Sequence, residues 1–315
     1  MNTTQSLFEG VSVIFAAVVL AVFLKKLGVL KKDDSQLFSR IVLYITLPAL
    51  IFSSLAQQAF TSEYLMMAGI MSFVEILIMM IAWLLAKFFK FDSGKTGALI
   101  LVSGFGMTTM LGYPLIRQVF PDNALAMEEA VITSEFGVGF LLFILGPLIA
   151  MYYGKTKVEG KIVIKSVQKF FISPIFISLI AGILLSFISH HHKVAIQPFI
   201  HFFELVGNAN LLMVTFTIGL LLEIKRMNSI YLFLFLAIVL KLIAKPLIAA
   251  VLTQSPVFSD MMREIILIET ALPSAILTVI FAKQYNCRPD LVSLAIMITL
   301  MISLFSVSLV FYIVF

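Results

Sequence analysis

Cysteine occurs once in the 315 residues, as Cys287. An intramolecular disulfide is therefore excluded, and no cysteine or histidine spacing typical of a zinc or cluster site is present. Histidine occurs four times. Three of the four, His190, His191 and His192, are consecutive and cannot all face one metal ion from a regular element. They are expected in a solvated loop, with His201 further on. HExxH, GxSxG and phosphate-loop patterns are missing, which leaves no nucleophile and base pair or metal signature to support an enzyme. No cofactor and no metal are implied. Charge is scarce too: Asp, Glu, Lys and Arg make up 12% of the chain, about half the share found in soluble domains.

Apolar residues fill the space, at 61% of the chain and a mean hydropathy of +1.09. The apolar runs are long and continuous, as membrane helices require; barrel strands would show short alternating segments. An all-α polytopic membrane protein is expected. Runs bounded by charge or turn residues fall near 9–27, 37–57, 65–89, 96–120, 124–153, 169–189, 196–222, 229–252, 262–285 and 289–315, which predicts ten spans. The opening MNTTQSLFEG has no basic residue ahead of the first run, so that run is expected to be a retained helix and not a cleaved signal peptide.

Basic residues orient the spans. Lys25, Lys26, Lys31, Lys32 and Arg40 flank the first connection, Lys87, Lys90 and Lys95 the third, and Lys155, Lys157, Lys161, Lys165 and Lys169 the fifth. Lys225 and Arg226 follow in the seventh, and Lys283 and Arg288 in the ninth. The even connections hold only Arg117, Lys193 and Arg263. By the positive-inside rule both termini face outward from a cell membrane. Basic cytoplasmic loops account for the net charge of +5, so no nucleic-acid partner is implied; the lipid bilayer is the expected surround.

Five spans in each half, 1–157 and 158–315, make halves of opposite orientation if they share a fold, the inverted repeat of many secondary transporters. The fourth run contains GFGMTTMLGYPL and the ninth ETALPSAIL, each with an internal proline, Pro114 and Pro273, about half the chain apart. Proline removes an amide donor and clashes with the preceding turn. In lipid an unpaired backbone group survives only against protein or a cavity. The half-helix ends after Pro114 and Pro273 are thus expected to offer amides and a positive dipole end to a carboxylate. Gly104, Gly106 and Gly112 favour such a break at Pro114. Pro48, Pro147 and Pro246 read as plain kinks.

Glu75, Glu135, Lys241, Lys245 and Glu269 lie well inside apolar runs. Each is costly there and is expected to face protein or a cavity. Lys241 falls about 18 Å along its helix from Ser229, near the bilayer centre, and Lys245 one turn further, from where it can snorkel outward. Two readings stand side by side. In one, Lys241 and Glu75 form a structural ion pair. In the other, a lysine meets an anionic substrate and a carboxylate carries a proton through the cycle. Glu204 reads as structural.

Over nearly its whole length the sequence resembles the auxin efflux carrier family, whose bacterial members include malate and malonate permeases. The resemblance is carried by RIVLYITLPALIFSSLA, LGYPL, LVGNANLLMVTFTIGLLLE, KLIAKPLIAAVL and ETALPSAILTVIFAKQYN. It implies a five-plus-five inverted repeat with broken crossover helices four and nine. It also implies a dimerising scaffold of spans 1, 2, 6 and 7, and a transport unit of spans 3–5 and 8–10 that moves as an elevator. Met107 and Thr109 stand where many relatives have asparagine and glycine, and Leu272 where methionine is usual. The expected substrate is a small organic anion such as malate or malonate. Its expected contacts are Thr108, Thr109, Gly112, Tyr113, Pro114, Leu272, Pro273, Ser274 and Lys241, with Glu75, Glu135, Glu269 and Lys245 in coupling or ion-pair roles. The rival readings are a carrier of another cargo (amino acid, peptide or cation) and a non-transporting receptor or sensor.

Overall fold

Prolines and glycines punctuate these helices, and the chain answers each kind differently. In the computed structural model, residues 3–56, 63–121, 123–154, 160–221 and 230–315 are described, those at 63, 166 and 188–196 for their backbone only. The elements are α1 (Thr3–Lys26), α2 (Asp34–Leu55), α3 (Glu63–Phe88), α4 (Ser93–Gly104), α5 (Tyr113–Val119), α6 (Ala124–Tyr153) and α7 (Gly160–Phe171). They continue as α8 (Pro174–Asn208), α9 (Asn210–Leu221), α10 (Tyr231–Leu252), α11 (Asp260–Ala271), α12 (Leu277–Gln284) and α13 (Pro289–Val314). Among the described residues there is no strand, only an isolated bridge between Gly106 and Ser274.

Three π turns stand just ahead of a proline: Val42–Thr46 before Pro48, Thr108–Gly112 before Pro114, and Val239–Ala244 before Pro246. A proline ring collides with the carbonyl four residues back, and a wider turn moves that carbonyl aside without ending the helix. A fourth π turn, Thr133–Gly139, has no proline and carries Glu135.

Among the described residues, seven of the ten expected runs are continuous helical stretches long and apolar enough to cross a membrane: α1, α2, residues Tyr64–Phe88 of α3, α6, Gln197–Leu221 (the end of α8 with α9), α10 and α13. Taking Gly160–Phe171 with Pro174–Phe187 as one interrupted span makes eight. The runs at 96–120 and 262–285 are each split, into α4 and α5 and into α11 and α12. Large apolar side chains at Phe73, Phe88, Phe235 and Tyr312 are more than half exposed, the outward face that lipid accepts and water does not.

Two expectations for the connections are corrected. The backbone is helical through His190, His191 and His192, within α8, where a loop was expected; their side chains lie outside the described residues. Lys161, Lys165 and Lys169, placed in the connection between the fifth and sixth runs, lie on helix α7. The polar residues that mark a loop in hydropathy lie there on one side of a helix. Lys155, Lys157, Lys225 and Arg226 lie outside the described residues.

The chain divides into two compact units that are not the sequence halves. The first takes Met1–Tyr64, Tyr113–Val131 and Phe171–Glu223. Within it α2 packs along α8 and α1 along α9. Close approach needs small residues: a Cβ added at Gly207 would stand 2.8 Å from Leu50 Cα, and one at Gly219 2.6 Å from Ala21 Cβ. Thr46 donates to Asn210 Oδ1 across 2.8 Å, and Lys25 Nζ donates to the Leu220 carbonyl at 2.8 Å, at the C-terminal end of α9.

The second unit takes Leu65–Gly112, Ile132–Phe170 and Ile224–Phe315. Here α13 packs against α4, α10, α11 and α12. Cys287 sits in the turn ahead of α13, buried, with its thiol 3.8 Å from the Gly94 carbonyl. Burial, with the nearby Asp92 charge, pushes the thiol up to about 12. Roughly one thiol in ten thousand is then ionised at pH 8, and the thiolate is the nucleophile. A maleimide at pH 8 is expected to leave the folded protein unlabelled and to label it fully once unfolded. Rapid labelling of the folded form would contradict this packing.

Candidate functional site

The break in the fourth run lies at Phe105–Met107, not at Pro114. After Gly104 the backbone turns extended at Phe105 (φ −87°, ψ 131°), and helical turns resume at Thr108. Pro114 is the second residue of α5, so no helix begins after it and the expected amide donors there are already helical. The break in the ninth run does surround its proline: Leu272 is extended (φ −66°, ψ 156°) and α12 begins at Leu277.

The two extended segments cross and pair. Gly106 faces Ser274 in an antiparallel bridge, Met107 N donates to the Pro273 carbonyl at 2.8 Å, and Ala275 N donates to the Phe105 carbonyl at 3.0 Å. Ser274 N donates to Thr299 Oγ1 at 3.3 Å and Ser274 Oγ to the Val102 carbonyl at 2.6 Å. The amides after Pro273 were expected to await a carboxylate, yet those of Ser274 and Ala275 are used by the protein itself. Backbone groups freed by a break inside an apolar core must be paired, and here each break pairs with the other. Gly106 makes the crossing tight: a Cβ there would lie 3.1 Å from Lys241 Nζ and 3.6 Å from the Glu269 carbonyl oxygen.

Buried charges gather around the crossing. Glu75 pairs with Lys245, at 2.5 Å between Oε1 and Nζ, and not with Lys241. Lys245 also donates to the Gly104 carbonyl at 2.7 Å, so one ammonium caps the C-terminal end of α4 while neutralising a carboxylate. Lys245 is fully buried, and the snorkelling expected of it does not occur. Lys241 Nζ and both carboxyl oxygens of Glu269 are fully buried, with no hydrogen-bond partner among the described residues. Glu269 Oε1 lies 4.0 Å from where a Cβ would stand at Gly112, and Leu272 Cδ1 2.9 Å from it.

A hydroxyl cluster completes this side of the unit. Thr108 Oγ1 and Ser134 Oγ are 2.5 Å apart, and Thr109 Oγ1 donates to Glu135 Oε1 at 3.1 Å. Ser134 and Thr299 were not nominated from the sequence; their only signal was a hydroxyl within an apolar run. The structure thus brings together, in the second unit, Glu75, Thr108, Thr109, Gly112, Glu135, Lys241, Lys245, Glu269, Leu272, Pro273 and Ser274. Tyr113 and Pro114 belong to the first unit, where the Tyr113 hydroxyl lies 3.5 Å from the Val131 carbonyl.

The first unit holds a cavity of about 560 Å³ lined by Ser53, Pro114, Arg117, Glu204, Asn208 and Asn210, among others. Arg117 and Glu204 stand 3.9 Å apart. Among the described residues no group of three or more His, Cys, Asp or Glu side chains is placed to hold a metal ion.

The chain is 26% identical over 305 residues to an uncharacterised transporter of Methanocaldococcus jannaschii, covering 96% of each chain. It is 26% identical over 314 residues to an uncharacterised transporter of Methanothermobacter thermautotrophicus, again over 96% of each. The family model described as membrane transport protein matches residues 6–312. The chain therefore belongs to the membrane transport protein family and is a multi-pass membrane transporter.

Proposed function

We propose that the protein is a secondary transporter of a small organic anion, a mono- or dicarboxylate such as malate or malonate. The observation that carries this reading is the crossing itself: two broken helices pair in the second unit beside the buried Lys241 amine, which has no hydrogen-bond partner among the described residues. A buried polar group without a partner is costly, and a carboxylate ligand relieves that cost at Lys241. Thr108, whose hydroxyl is paired with Ser134, stands in the first turn after the break, where the helix dipole also favours an anion; the Thr109 hydroxyl proton is committed to Glu135. Glu269 and Glu135 are the coupling groups for proton movement.

The reading extends to architecture. Ten spans form two inverted halves with both termini outside the cell membrane, and the split helices four and nine are the paired breaks of such a repeat. The division into two units supports an elevator in which the unit holding the crossing carries the substrate. The other unit acts as the scaffold and provides a homodimer contact.

One observation favours a second cargo. Glu269 brings to the same crossing a carboxyl group with no hydrogen-bond partner among the described residues, and a carboxyl beside an amine suits a zwitterionic amino acid. Proteoliposomes loaded at pH 8 and diluted to pH 6 discriminate. Saturable uptake of malate or malonate that collapses with a protonophore supports the anion reading. Amino-acid uptake supports the second cargo, and ligand-dependent stabilisation without flux of either indicates a receptor and overturns both.

A further inference from the structure

Helix α7 is 12 residues long, GKIVIKSVQKFF, or about 18 Å, too short to cross a hydrocarbon core of roughly 30 Å. At about 100° per residue, Lys161, Lys165 and Lys169 fall within some 80° of one another, and Val163, Val167 and Phe170 fall on the opposite side. All three lysines are exposed. Phe170 is buried against Phe143 and Phe140, at ring distances of 5.2 and 6.2 Å, which ties the apolar side to the second unit. Ile164 remains 59% exposed, and Ile172, just past the helix, 71%. The chain reaches α7 from the end of one membrane-long helix, α6, and leaves it into the apolar α8, connections that suit a helix at the level of the membrane surface.

We propose that α7 is an interfacial helix that binds anionic phospholipid, its three lysines on lipid phosphates and Ile164 and Ile172 in the acyl boundary. Apolar anchoring and basic charge lie on α7 and the residue just past it, the two-part signal that lipid surfaces require. This inference is independent of what the protein carries, and it can fail while transport stands.

The test uses the full chain in neutral detergent, titrated with phosphatidylglycerol, phosphatidylcholine or free glycerol 3-phosphate, with the thermal unfolding midpoint as readout. Phosphatidylglycerol is expected to raise the midpoint, the other two not, and about 0.5 M salt is expected to remove most of the shift. K161Q/K165Q/K169Q should weaken the half-saturating phosphatidylglycerol concentration about 100-fold, roughly fivefold per lysine. K161R/K165R/K169R and a control K31Q/K32Q/K90Q should keep it. The proposal is overturned by equal shifts with phosphatidylcholine or glycerol 3-phosphate, by a glutamine variant that binds as tightly as the parent, or by a control that loses as much. Should the triple glutamine variant not fold, K165Q and the salt response of the parent decide by the same criteria.

Discussion

Lys245→Met lowers the apparent unfolding free energy of the purified protein by about 3–5 kcal/mol. Glu75 and Lys245 are both fully buried, so each owes its tolerance to the other. Removing the ammonium leaves the Glu75 carboxylate uncompensated, and the Gly104 carbonyl at the end of α4 loses its donor as well. Glu75→Gln combined with Lys245→Met should recover more than half of the loss, because a buried ion pair replaced as a pair is close to neutral while a broken one is not. Denaturation of the three variants in one detergent measures this. A single variant within about 1 kcal/mol of the parent, or a double variant no better than the single, would remove the pair from the structural account.

Lys241→Met moves stability the other way. Lys241 lies one turn from Lys245 on the same helix, yet its ammonium has no hydrogen-bond partner among the described residues. Replacing it with an unbranched apolar side chain of similar length removes an unsatisfied polar group from the core. The unfolding midpoint is expected to stay or rise. Transport should fall, because a charge-assisted hydrogen bond to the substrate is worth about 1.5–3 kcal/mol, or roughly 10- to 150-fold in affinity. Stability and flux are read on the same preparation. A variant that loses stability while keeping flux would make Lys241 a structural residue and sink its proposed role.

Much of this protein was readable along the chain. Long apolar runs with few charges specify membrane helices wherever they fold, since hydropathy is a property of neighbouring residues. The intramembrane charges stood out for the same reason: Glu75, Lys241, Lys245 and Glu269 interrupt apolar runs and cannot be left facing lipid. The family was legible too, through motifs spread over the whole length, and the match to residues 6–312 agrees with it.

Other features were not legible, each for a physical reason. Pro114 looked like the break, but a π turn absorbs its ring, and the chain opens instead where Gly106 allows a second segment to approach. One of the two readings paired Lys241 with Glu75, but depth along the membrane does not separate two lysines one turn apart, and it is Lys245 that meets the carboxylate. The histidines looked like a loop because a polar stretch between apolar runs reads the same whether its backbone is helical or not.

The residues of this chain settled on their own that it lives in a membrane as helices and that five charges must be sheltered there, because those are local matters of solvation. Which charges meet, and where the helices open, depended on contacts between Glu75 and Lys245, 170 residues apart, and between Val102 and Ser274, 172 apart. Only packing decides such pairings, since each break is tolerated in an apolar interior because the other break, with Thr299 and Lys245, supplies its missing hydrogen bonds.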